Sequence, residues 1–155
     1  MERIHKSTLG LSGLVTRTNN AAESQAETAK IGPLWQAYFS VHPDALAEGG
    51  SMYGVYHEYQ SDMDGDYSVL VGTPTTSDDS SDIRLATGDY LKFSGSGKMP
   101  DCVVELWREI WRYFTSSECQ YQRSYHTDYE VYSDTTRVDI YIGINAQKDD
   151  NTPRR

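Results

Sequence analysis

Slid against itself by 76 residues, the chain sets Trp35 on Trp111, Leu34 on Ile110, Tyr38 on Phe114, Tyr53 on Tyr129, Val55 on Val131 and Tyr56 on Tyr132, with no gap. Rare Trp and Tyr residues do not coincide at one offset by accident, so an internal duplication constrains the fold before any local pattern does. Each half carries an apolar-Trp-x-x-aromatic segment, followed eighteen residues after its Trp by Tyr-x-Val-Tyr.

Local patterns fill in the repeated unit. Val103, Trp107, Ile110 and Phe114 recur at helical spacing from a Pro100-Asp101 start, which predicts an amphipathic helix. Tyr129 to Tyr132 and Val138 to Ile144 are short β-branched and aromatic runs separated by polar turn residues, as in antiparallel strands. In the first half Asn20-Ala21-Ala22-Glu23 resembles a capping box and Pro33 kinks or restarts the helix, while Ser51 to Tyr59 and Tyr67 to Thr73 supply two strands. Leading strands near Leu9 to Thr16 and Ile83 to Phe93 complete each copy. The result is an α+β fold of duplicated β-α-β-β units forming one antiparallel sheet. A single domain is expected over 1–147, with repeat 1 at about 6–75, a polar connector at 76–82 and repeat 2 at about 83–147. The segment 148–155 reads as a disordered tail.

Charge and motif content exclude several functions. With 14 basic against 23 acidic residues the net charge is -9, the wrong sign for neutralising phosphates, so no direct nucleic-acid partner is expected. No apolar run is long enough to span a bilayer and no hydrophobic signal segment follows the first six residues, which predicts a cytoplasmic protein with no membrane partner. Cys102 and Cys119 bracket the second helix, about 25 Å apart at helical rise, and read as two reduced thiols. His57-Glu58 lacks the second His of a zinc-protease motif, and no metal site is expected. Ser94-Gly95-Ser96-Gly97-Lys98 lacks the first Gly and the final hydroxyl of a phosphate loop, and Asp62 to Asp66 lacks the acidic end of a calcium loop. Both read as ordinary loops, and no cofactor is expected.

The last strand carries the most chemistry. Val138, Ile140, Ile142 and Ile144 alternate with Asp139, Tyr141 and Gly143, so its aliphatic face suits packing under helices and Asp139 and Tyr141 share the other face. The same alternation puts Val131 on the helix side and Glu130 and Tyr132 opposite, and the repeat assigns Tyr56 and Glu58 likewise. That face is either ordinary solvated sheet or, given twelve tyrosines in the chain, the wall of a cavity for an organic cation.

At these residues the chain resembles the GyrI-like effector-binding family, the small-molecule domain of AraC-type and MerR-type multidrug regulators, which also occurs as free-standing proteins. The resemblance rests on Gly32-Pro33-Leu34-Trp35, on Gly88 to Phe93 with Gly95, on Leu106 to Phe114 and on Val138 to Ile142. It implies two helices on one side of the sheet, a central ligand cavity, and lipophilic organic cations held by aromatics and an acid, usually Glu. The final-strand acid of that pattern falls on Asp139, with Tyr141, Tyr132, Tyr56 and Tyr90 as walls and Glu130 and Glu58 as further acids. Trp35, Trp107 and Trp111 are either walls or core, because Trp at helical spacing commonly packs inward. The chain is expected to lack a helix-turn-helix and to resemble the stand-alone members, some of them carried on gene cassettes. The expected function is binding of an amphipathic organic cation without turnover, with room for a regulatory protein partner. The alternatives are a hydrolase using Asp139 with Tyr141 or Tyr132, and an acidic partner-binding inhibitor.

Overall fold

The computed structural model describes residues 1–43, 51–75 and 81–145. In chain order the elements are β1 (Glu2–Lys6), β2 (Gly10–Thr18), α1 (Asn20–Glu23), α2 (Ile31–Val41), β3 (Met52–His57), β4 (Tyr67–Pro74), β5 (Ile83–Arg84), β6 (Gly88–Ser96), α3 (Asp101–Thr115), β7 (Arg123–Asp134) and β8 (Arg137–Ile144). The strands form one curled sheet in the order β1-β6-β8-β7-β3-β4-β2-β5, with every neighbouring pair antiparallel. The fold is α+β, as the repeat predicted. Residues 76–80 of the expected connector and the whole expected tail lie outside the described residues.

The topology follows from the duplication. In each copy the first strand pairs with the last and the last with the second, giving β2-β4-β3 and β6-β8-β7. The two second strands, β3 and β7, meet at the centre with Tyr53 opposite Val131, Gly54 opposite Glu130 and Val55 opposite Tyr129. Adding 76 to the β3 member of each pair and subtracting it from the β7 member returns the same set of pairs, so a pseudo-two-fold axis passes between Gly54 and Glu130. β1 and β5 lie outside the duplicated plan, adding to the β6 and β2 edges.

Both long helices pack on one face. On α3 the stripe Leu106 and Ile110 is buried against Phe93, Val138, Ile140 and Ile142, as the alternation of β8 required. On α2, Leu34 and Tyr38 bury against Met52, Val69 and Val71. The start of α2 is tied to α1, because the Glu23 carboxylate accepts the backbone N–H groups of Lys30 and Ile31 at 2.8 and 3.2 Å. These are donors that no helical carbonyl reaches. Pro33 sits in the same first turn, where its missing N–H costs nothing, so it restarts the helix and does not kink it. The opposite face holds a separate cluster in which Leu11, Val55, Leu70 and Tyr90 are joined by Tyr129 and Tyr141.

The face expected for β7 is reversed. Tyr132 lies opposite Val138 but Asp134 lies opposite Arg137, so Ser133 is an extra residue in the hairpin. Without that bulge a two-residue turn at Thr135 and Thr136 would set Val131 across from Ile140, on the helix side. With it, Glu130 faces Ile140 and Val131 faces Asp139, and every side chain of the inner β7 segment changes face. Glu130, Tyr132 and, across the axis, Tyr56 therefore lie under the helices.

Candidate functional site

The two helices straddle the axis and leave a chamber of about 960 Å³ between them, over the junction of β3 and β7. Trp35 and Phe39 of α2 form one wall and Val103, Val104 and Trp107 of α3 the other, with Ile31, Met99 and Pro100 at the ends. Tyr56, Glu130 and Tyr132 form the floor, and Asp134 and Thr135 stand at the rim. Ring edges meet ring faces around it. Trp35 crosses Tyr132 at 5.1 Å and 81°, and Trp107 meets Tyr56 at 5.6 Å and 76°. Such edge-to-face contacts hold the walls in place without filling the space between them.

One carboxylate lies at the centre. Glu130 is 3 % exposed, and its two oxygens accept three hydrogen bonds from aromatic side chains. Oε2 takes the Tyr56 hydroxyl at 2.9 Å and the Trp107 indole N–H at 2.7 Å, and Oε1 takes the Tyr132 hydroxyl at 2.7 Å. Burial raises its pKa above the ordinary carboxylate value, and the three donors pull it back toward the charged form. Burial and the adjacent carboxylate also push both tyrosines well above the usual phenol range, so they stay neutral donors.

The duplication explains how one acid comes to be so placed. Tyr56 and Tyr132 are repeat mates and reach the same carboxylate from the two sides of the axis. The repeat mate of Glu130 is Gly54, directly opposite it on β3. A Cβ at Gly54 would stand 2.9 Å from the Trp35 ring and 3.2 Å from Glu130 Oε1. The missing side chain thus makes room for the single acid and for Trp35 beside it.

Of the residues expected from sequence, Glu130, Tyr132, Tyr56, Trp35 and Trp107 converge on this chamber. Trp111 lies one helical turn further on, 43 % exposed, and lines an adjoining cavity of about 310 Å³ with Tyr59, Tyr67 and Arg123. Tyr56, Trp107, Ile31 and Val104 border both spaces. Asp139, Tyr141 and Tyr90 do not join them. Asp139 lies on the far face, taking a hydrogen bond from Ser94 Oγ at 2.6 Å. Tyr141 stacks on Tyr129 there at 4.7 Å, and Tyr90 donates to the Ala86 carbonyl at 2.5 Å. Asp139 with Tyr132, one of the acid and hydroxyl pairs considered for hydrolysis, is divided between the two faces. Glu58 is exposed beyond the end of β3 at φ 53°, where it accepts from Ser68 Oγ. Phe39, Ile31, Met99, Val103 and Val104 were not expected as site residues from the sequence, although the helical periodicity of α3 had placed Val103 on the inward stripe.

A second buried acid needs no ligand. Asp128 is fully buried, pairs with Arg123 at 2.7 Å, accepts the Gly143 N–H at 2.9 Å and takes the Tyr59 hydroxyl. Its charge is met within the protein, whereas Glu130 has only neutral partners among the described residues.

The family model for integron-associated effector binding proteins matches residues 8–144, which includes every strand and helix of the duplicated units. The chain belongs to that family. An integron cassette protein from the mobile metagenome of Vibrio cholerae is 33 % identical, with a TM-score of 0.81 over 93 % of this chain and 95 % of that one. A Bacillus subtilis protein catalogued as a candidate transcriptional regulator, YobU, is 28 % identical over 148 residues, covering 85 % of this chain and 89 % of its own. The fold extends to SAV2435, solved bound to tetraphenylphosphonium, at 18 % identity and a TM-score of 0.69 over 94 % and 93 % of the two chains. It is the GyrI-like fold. Both copies of the duplicated unit contribute to the walls of the chamber at their junction.

Proposed function

We propose that this protein binds amphipathic organic cations in the chamber between α2 and α3, with Glu130 as counter-ion and Trp35, Tyr56, Trp107 and Tyr132 as aromatic walls. The observation that carries the reading is a buried carboxylate with no cationic partner among the described residues, at the floor of a largely apolar space of about 960 Å³. A carboxylate so placed is costly to keep charged in the empty protein, and a cation entering the chamber relieves that cost. Aromatic faces add attraction that requires no hydrogen bond. The fold relative solved with tetraphenylphosphonium is in keeping with this chemistry. The counter-ion role thus belongs to Glu130 and not to Asp139. The protein acts as a single effector domain over residues 1–147.

The test is titration calorimetry of wild type and Glu130→Gln with tetraphenylphosphonium and with neutral triphenylphosphine oxide. Loss of a partly desolvated charge interaction of about 1–3 kcal/mol should weaken the cation about 5- to 150-fold and leave the neutral compound within about twofold. Equal losses for both compounds, or none for either, would remove Glu130 from the site. Recovery of the ligands unchanged after prolonged incubation separates binding from turnover, and an altered product would replace this reading with an enzymatic one.

A further inference from the structure

The hydrogen bonds around Glu130 also bear on which cations can use it, an inference that rests on the cation-binding reading above. A carboxylate offers about four acceptor positions, two on each oxygen. Tyr56 and Trp107 occupy both positions on Oε2, and Tyr132 occupies one of the two on Oε1. One position is left for a ligand. The other carboxylate on the chamber wall, Asp134, stands at the exposed rim, where Thr136 already donates to its Oδ1 from both the backbone N–H and the hydroxyl. The phenol oxygens of Tyr56 and Tyr132 can accept in turn, but a bond to a neutral acceptor is roughly half as strong as one to a carboxylate.

We infer that the chamber selects cations whose charged centre carries at most one N–H donor, because Tyr56, Tyr132 and Trp107 have already taken three of the four acceptor positions on Glu130. Quaternary ammonium and phosphonium groups need no acceptor, and a tertiary ammonium needs one, which Oε1 supplies. A primary ammonium brings three donors and a guanidinium five, so at least two of them lose water at the floor of the chamber without an equal replacement. The same three residues that favour the charged form of the acid therefore set its specificity. Charge alone would not discriminate among these ligands; the count of free acceptor positions does.

The experiment uses one aromatic body with two head groups, biphenylmethyl-trimethylammonium and biphenylmethyl-ammonium, titrated into wild type, Tyr132→Phe, Tyr56→Phe and Glu130→Gln and followed by calorimetry. In wild type the quaternary compound should bind at least about tenfold more tightly, the size expected from leaving buried donors unpaired. Each Phe substitution returns one acceptor position to Glu130, so the preference should fall about threefold or more in Tyr132→Phe, where Oε1 becomes free of protein donors, and also fall in Tyr56→Phe. The ratio of the two affinities is the readout because both cations require the same ionised carboxylate, so any change in Glu130 protonation cancels. Two Phe variants are used so that a packing defect in one, visible by circular dichroism, does not decide the matter. A wild-type ratio within about twofold of unity overturns the inference. So does a preference unchanged in both Phe variants, which would trace it to general dehydration of the ammonium group. Loss of both affinities in Glu130→Gln with an unmoved ratio in the Phe variants leaves the cation site standing and removes the selectivity; no loss in Glu130→Gln removes both.

Discussion

At Glu130 burial favours the proton and three neutral donors favour the charge, and this balance makes its proton a reporter of the site. Its pKa in the empty protein is raised, first by burial, and a bound cation lowers it again by favouring the ionised form. The sign follows from linkage: the free state binds more protons than the complex, so affinity for a permanent cation falls as pH drops through the raised pKa, by up to about tenfold per unit. Tetraphenylphosphonium affinity measured between pH 8 and pH 4 should show this decline in wild type, with proton release on binding in the same window. In Glu130→Gln the profile should be flat. Asp139 supplies the control on the other face of the sheet: Asp139→Asn removes a negative charge of the same sign while Ser94 keeps an acceptor, and cation affinity should stay within about twofold of wild type. A larger loss would mean that net charge, and not the placement of Glu130, governs binding.

At the scale of the element, the β3 and β7 pair does most to shape the chamber. Gly54 lies across from Glu130 in a central strand, a place where glycine is otherwise unfavourable, and the approach of Trp35 and the carboxylate explains its presence. Gly54→Ala should favour the strand conformation yet push Trp35 or Glu130 out of position, a strain of about 1–3 kcal/mol by analogy with overfilled cores. We expect weaker cation binding, with a shifted tryptophan emission as Trp35 is displaced, and unchanged binding would show that the ring yields freely. The outer half of β7 depends on Asp128, whose carboxylate joins Arg123 to the Gly143 N–H of β8 across a break in register between Arg123 and Asp128. Removing one partner of a buried pair leaves the other uncompensated. Asp128→Asn should lower unfolding stability by about 3–5 kcal/mol in urea titration, far more than Glu58→Gln at an exposed position.

Over the whole molecule the two copies divide the labour unequally: both supply a helix wall and a tyrosine, but only the second supplies the acid. The net charge of -9 favours approach of cations over a range set by the ionic strength, so association should slow with added salt while the buried contact itself changes little. The same charge opposes binding to polyanions. Duplex DNA should not be retarded at physiological salt, and a sub-micromolar, salt-dependent gel shift would contradict that expectation. No helix among the described residues is long and apolar enough to cross a membrane.

The duplication, the order of the duplicated elements and the aliphatic face of β8 were legible in the sequence because each depends on spacing within a continuous segment; the edge strand β1 and the break between β5 and β6 were not. The 76-residue offset even paired Gly54 with Glu130, a break in the repeat that marks the centre of the site once the axis is known. What the spacing could not convey was which side of the sheet each central strand presents to the helices. That was decided at Ser133, where one extra residue in the β7–β8 hairpin shifts the register and turns Glu130 and Tyr132 inward and Val131 outward. Alternation along a strand is a local property, but the choice of face is made by pairing with the neighbouring strand, and a single bulge reverses it. Asp139 and Glu130 are both acids flanked by β-branched residues and tyrosines in the sequence. Only the tertiary structure sets one beneath two tryptophan-bearing helices and the other on the far face of the sheet.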